Sequence, residues 1–74
     1  MKYNFKIKNI DCPVCAGKIE TRIQKIKGIN EASLNFISES LFVEADDELT
    51  LEELTKSILK AARKVEREAE LIAL

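Results

Sequence analysis

Apolar and polar positions alternate at the start of the chain. Tyr3, Phe5 and Ile7 fall on one side of an extended segment, and Lys2, Lys6 and Lys8 on the other. That period of two predicts a half-buried strand, closed by Asn9-Ile10-Asp11. The period then lengthens. Ala16, Ile19, Ile23 and Ile26 recur at helical spacing and make one apolar face. Pro13 suits the first helical position, where its missing N–H costs nothing, and Gly28 stands where a helix commonly ends. Alternation returns from Ile29 to Phe36 through Ala32, Leu34 and Phe36. Ser38-Glu39 turns the chain, and Leu41, Val43 and Ala45 face inward from a third strand, with Phe42 on the opposite face at a partly covered sheet edge. Asp46-Asp47-Glu48 breaks that strand. Thr50 with Glu53 reads as a capping box. Leu51, Leu54, Ile58, Ala61 and Val65 then mark the apolar side of a second helix. Ala69 to Leu74 is read as a fourth strand, because one helix from Thr50 to Leu74 would be long for so small a domain.

The order β-α-β-β-α-β predicts an α+β, ferredoxin-like fold: a four-stranded antiparallel sheet with two helices on one face, burying a single core. With 74 residues, residues 1–74 are read as one domain. Twelve Lys and Arg stand against thirteen Asp and Glu, a formal charge of −1, so no nucleic-acid partner is expected. No apolar stretch approaches the roughly 20 residues of a membrane span, so the isolated domain is not expected to insert in a membrane. The first residues also lack the apolar region of a signal peptide.

The candidate chemistry lies in Cys12 and Cys15, which straddle the start of the first helix. Orphan backbone N–H groups and the helix dipole stabilise thiolates there. Two thiolates close together suit a soft cation. Alone they hold monovalent copper nearly linearly, whereas zinc and cadmium want further ligands. Asp11 precedes Cys12 and offers either an oxygen ligand for a divalent ion or merely a helix cap. With two cysteines and no histidine, neither a self-contained structural zinc site nor histidine-based acid–base catalysis is available. Thiol–disulfide exchange is the rival reading of a C-x-x-C pair. The motif's position at residue 12, after one strand, and the lack of any proline besides Pro13 count against it. Ile10 is read as anchoring the loop in the core, and Val65 as closing the other side of the site or simply packing. The Lys2, Lys6, Lys8 set and the Lys18, Arg22, Lys25 set are read as solvated charge, with an acidic partner surface as the other reading.

Asn9-Ile10-Asp11-Cys12-Pro13-Val14-Cys15-Ala16 resembles the loop of heavy-metal-associated domains, usually Gly-Met-x-Cys-x-x-Cys-Ala. The resemblance continues through Gly28-Ile29, Ala32 to Phe36 and Leu41-Phe42-Val43, and covers roughly residues 3–73. It implies that Cys12 and Cys15 are metal ligands. It also implies that Asp11 assists them, as aspartate does at this position in the zinc-, cadmium- and lead-transporting branch. The implied setting is the N-terminal metal-binding domain of a metal-exporting P-type ATPase, at the cytoplasmic face of the cell membrane. There it would be a piece of a larger protein, working with that protein's other domains and having no activity alone. A monovalent copper chaperone or copper-ATPase domain is the alternative. Asn9 and Ile10 depart from the family's glycine and methionine. Copper members often carry Lys or Tyr/Phe near the loop after helix two with a glycine nearby; Arg63-Lys64-Val65-Glu66 has no glycine, which counts against the copper alternative, and Arg63 or Lys64 is expected to screen thiolate charge.

Overall fold

The computed structural model describes residues 1–74. Its elements are β1 (Lys2–Lys8), α1 (Pro13–Gln24), β2 (Ile29–Asn35), β3 (Ser40–Ala45), α2 (Leu51–Arg63) and β4 (Glu70–Ala73). The strands form one antiparallel sheet in the order β2-β3-β1-β4, with both helices on one face. This is the ferredoxin-like α+β arrangement that the order of elements predicts.

Side-chain period and register agree on which face is the core. Phe5 lies opposite Leu41 and Ala73, and Ile7 opposite Leu71, so the apolar sets of neighbouring strands meet on one side. Ile19 and Ile23 of α1 and Leu54, Ile58 and Ala62 of α2 come down on them, all fully buried. The open face pairs Lys2 with Glu44 and Lys8 with Glu70 across strands, an arrangement that favours this register. Phe42 is on that face, half-buried, but not at an edge: β3 is an interior strand, and Phe42 sits between Asn4 and Ser33.

Three readings of the helices are corrected. α1 ends at Gln24 with Lys25 as its cap, three residues before Gly28. Gly28 instead takes φ +93° at the start of β2, where an added Cβ would come 2.7 Å from Leu49 Cδ1, so glycine answers both demands. In α2, Leu51 is 44% exposed and Ala62 takes the inward position, because four residues beyond Ile58 is a truer return to the same face than three. Only half of the capping box forms. Thr50 Oγ1 accepts the Glu53 N–H at 3.1 Å, and no return bond from the Glu53 side chain is made. Ala69 is buried just ahead of β4. No helix is long and apolar enough to cross a membrane.

Candidate metal centre

The loop from Asn9 to Cys12 links the central strand β1 to the start of α1, and several local features hold it. Asn9 adopts φ 69°, a left-handed conformation that asparagine tolerates better than most residues. Its Nδ2 donates to the Glu68 carbonyl at 2.9 Å, tying this loop to the one before β4. Ile10 packs against the core, as expected. Pro13 opens the helix at its first position.

Cys12, rather than Asp11, is the N-cap. Its extended backbone (φ −148°, ψ 152°) turns the sulfur back over the first turn, where the Cys15 N–H donates to Sγ at 3.3 Å. Cys15, in that first turn, brings its own Sγ within 3.1 Å of the Cys12 sulfur. Both cysteines are free thiols and half-buried. Asp11 is exposed, and its carboxylate is not gathered with the sulfurs into a three-donor cluster. The fold therefore brings together two of the three sequence-predicted site residues.

The sulfurs are not equivalent. Their positions alone leave open which one holds the shared proton, and the backbone decides it. Cys12 receives the Cys15 thiol proton and the Cys15 N–H, and more weakly the Val14 N–H and the field of Lys18, so its pKa is held below the ordinary cysteine value. Cys15, giving its proton to Cys12, is pushed up, with burial, the Cys12 charge and Glu66 adding to the rise. Of the metal-free pair, Cys12 is therefore the sulfur that ionises first, with the Cys15 thiol as its hydrogen-bond partner. The sign for reactivity follows. A lowered pKa makes thiolate available at lower pH, and a raised one delays it to more alkaline pH. In metal-free, reduced protein, iodoacetamide should therefore label Cys12 first. The Cys12 rate should level off at a pH where that of Cys15 is still climbing. Peptide mass analysis of partly labelled protein over a pH series reads both, and labelling of Cys15 first would place the proton on Cys12.

Sequence reasoning expected Arg63 or Lys64 to temper the thiolate charge. Arg63 is engaged elsewhere, its Nε donating to the Ala69 carbonyl at 3.1 Å. Lys18, which the pattern marked only as solvent-facing, is the cation that acts on both cysteines. Its place three residues after Cys15, one helical turn on, is the signal that could have found it. Val65 is half-buried against the core, which satisfies its packing reading.

Comparison with known proteins agrees with this arrangement. The model of the heavy-metal-associated domain matches residues 4–64. The chain is 33% identical over 48 residues to a zinc/cadmium/lead-transporting P-type ATPase of Escherichia coli (strain K12), covering 65% of this chain and 7% of that protein. It is 33% identical over 70 residues to a copper-exporting P-type ATPase of Bacillus subtilis (strain 168), covering 93% of this chain and 9% of that protein. The chain thus spans less than a tenth of the length of either relative. Among solved structures, it superposes with a TM-score of 0.75 on the N-terminal domain of a potential copper-translocating P-type ATPase from Bacillus subtilis in its Cu(I)-loaded state. That match has 29% identity and covers 97% of this chain and 84% of the other.

Proposed function

The chain belongs to the heavy-metal-associated domain family, and from that premise we propose that it binds one soft metal ion between Cys12 and Cys15 as a domain of a metal-translocating P-type ATPase. The observation that carries this reading is the convergence of two sulfurs 3.1 Å apart at the start of α1. One sulfur is already favoured as thiolate, and a pair of thiolates is a soft donor set. The ion is cargo. It passes by ligand exchange, each new bond to a partner's sulfur or oxygen forming before an old one breaks, so it is never set free as a solvated cation. A half-buried site suits such exchange better than a closed one. ATP-driven translocation across a membrane belongs to the rest of such a pump, and this domain supplies or regulates the ion on the cytoplasmic side.

Two cargoes fit, on different observations. Monovalent copper is served by two thiolates alone, which is the donor set the fold assembles. The relative matched along 93% of the chain is a copper exporter, and the Bacillus subtilis domain was solved with Cu(I) bound. This is the better supported of the two. Zinc, cadmium or lead is favoured by Asp11, an exposed carboxylate next to Cys12 that offers a divalent ion an oxygen ligand. The Escherichia coli relative, matched over a shorter stretch, transports those ions.

Asp11→Asn separates the two cargoes. If copper is the cargo, anaerobic titrations should give weak zinc binding to the unaltered domain, and Cu(I) affinity in the variant within about a factor of two. Tight one-to-one zinc binding that falls at least about tenfold in the variant, about 1.4 kcal/mol, would assign the domain to divalent ions and make Asp11 a ligand.

A further inference from the structure

The sheet has two edges, β2 and β4, and only one of them is closed. On β2, backbone groups that turn away from the sheet are met by side chains of α1. Glu20 Oε2 accepts the Leu34 N–H at 2.7 Å, and Gln24 Nε2 donates to the Ala32 carbonyl at 3.0 Å. An irregularity between Ile29 and Glu31 breaks the ladder at the start of the strand. Cover and bulges are how proteins keep an edge from pairing with a further strand.

β4 carries none of these devices. The Leu74 N–H donates to the Asn4 carbonyl. By antiparallel alternation, Glu70, Ile72 and Leu74 therefore turn their backbone groups to β1, and Leu71 and Ala73 turn theirs outward. The side-chain bonds nearby, from Asn9 to the Glu68 carbonyl and from Arg63 to the Ala69 carbonyl, stop before the strand. The strand holds no lysine, proline or bulge. Apolar side chains flank it on both faces. Ile72 and Leu74 are exposed on the open face. On the helix face, α2 packs on β4 and runs back along it from the contact of Arg63 with Ala69. The helix from Arg63 back to Leu51 spans about 18 Å, and the strand from Ala69 to Leu74 about 17 Å. Exposed Leu51 thus comes level with Leu74. Leu59, half-buried yet outside the core cluster, comes level with Leu71.

We propose that the β4 edge pairs with the β4 edge of a second copy of this chain, antiparallel about a two-fold axis at Ile72, joining two sheets into one. In that register Leu71 and Ala73 of each copy exchange N–H···O=C bonds with Ala73 and Leu71 of the other, so every outward group of the strand finds a partner. A two-fold at Leu71 would instead call on Ala69, whose carbonyl accepts from Arg63 and whose N–H donates to the Glu66 carbonyl. The Ile72 register also sets Ile72 against Ile72 as a close pair without ladder bonds, and Glu70 against Leu74 rather than against another Glu70. Both α2 helices lie on the same face of the joined sheet, and Leu51 and Leu59 line the seam from each side. Such self-complementarity is what a two-fold contact requires. An unrelated strand would satisfy the backbone groups alone. The contact is small, so it belongs with weak, reversible interfaces. β1 enters the metal loop level with Glu70, and the paired β4 strands run in opposite directions, so the two metal loops point to opposite ends. The dimer leaves both cysteine pairs open and does not depend on metal.

The test uses the reduced, metal-free domain in a chelator, so neither a disulfide nor a shared ion joins two copies, and its outcome is separate from that of the metal titrations. Sedimentation equilibrium and ¹⁵N spectra are recorded from about 20 µM to about 1 mM, the range of a small interface. The expected result is a mass that rises from one chain toward two, with concentration-dependent shifts largest at the Leu71 and Ala73 amides. Those amides should also exchange with solvent more slowly at the higher concentration. Ile72→Lys sets like charges against each other at the two-fold and should weaken dimerisation at least about tenfold. Ala73→Pro removes a donor that the domain's own sheet leaves unused and should weaken it as much. Ile37→Lys, the same change as at Ile72 but at an exposed residue between β2 and β3, should alter it less than about twofold. Circular dichroism checks that the variants keep the fold. One chain at every concentration, dimers that Ile72→Lys leaves intact, or shifts centred on β2 or the metal loop would overturn the proposal. So would a domain that stays single while an added extended peptide shifts the Leu71 and Ala73 amides, which would give the edge to a foreign strand.

Discussion

Cys12→Ser should lower metal affinity at least about a thousandfold, roughly 4 kcal/mol, while leaving the fold in place. The site offers two thiolates, and removing one leaves a single sulfur and a hydroxyl, a poor ligand for a soft ion. The fold is spared for a specific reason. Cys12 is the N-cap of α1, and its sulfur accepts the Cys15 N–H. Serine is among the best residues for that task, so the cap survives the loss of the ligand. Competition against a chromophoric chelator reads the affinity, and thermal unfolding of the metal-free protein reads the cap. Retained affinity would remove Cys12 from the site. The variant also abolishes the proton-sharing partner of Cys15, so the Cys15 thiol should lose the part of its upward shift that Cys12 causes.

Phe5→Ala should carry the largest stability loss, about 3–5 kcal/mol. Phe5 is fully buried on the central strand, opposite Leu41 on one side and Ala73 on the other. Its removal opens a cavity beneath both helices that rigid neighbours cannot close. A 74-residue domain has a total stability of only roughly 4–11 kcal/mol, so the variant should be largely unfolded at 37 °C or close to it. Urea denaturation followed by circular dichroism measures this. A loss under about 1 kcal/mol would mean that the core can collapse around the gap. β1 also leads directly into the metal loop, so metal binding should fail together with the fold. Cys12→Ser separates the two in the other direction, by losing affinity without stability.

The sheet and its helices were legible because each element declares itself locally. Tyr3, Phe5 and Ile7 alternate, Ala16, Ile19 and Ile23 repeat at helical spacing, and Pro13 fixes where the first helix begins. The pairing of Cys12 with Cys15 was legible for the same reason. Two residues separate them, and a helix start folds that spacing back on itself. The errors lie where local pattern gives no choice or the wrong one. Ala61 and Ala62 are chemically identical and flank the inward direction set by Ile58; Ala62, four residues on, is fully buried, and Ala61 is half-buried against the core. Leu51 is apolar in sequence, yet it lies at the exposed first turn of the helix. Contacts between distant segments were not legible at all. Asn9 reaches the Glu68 carbonyl across 59 residues, and Arg22 and Lys25 share one groove with Lys60 and Lys64 only because the two helices pack side by side. The cap was missed for a further reason. Aspartate is the stronger capping residue in general, but the extended backbone at Cys12 gives that place to the sulfur.

The central claim is that Cys12 and Cys15 jointly hold one metal ion. X-ray absorption at the metal K-edge, on the domain loaded with one equivalent of Cu(I) or Zn(II) under reducing conditions, tests it most directly. The account predicts two sulfur neighbours per metal ion, with one further oxygen shell if a divalent ion recruits Asp11. A first shell of oxygen or nitrogen alone, or one sulfur per ion, would contradict it.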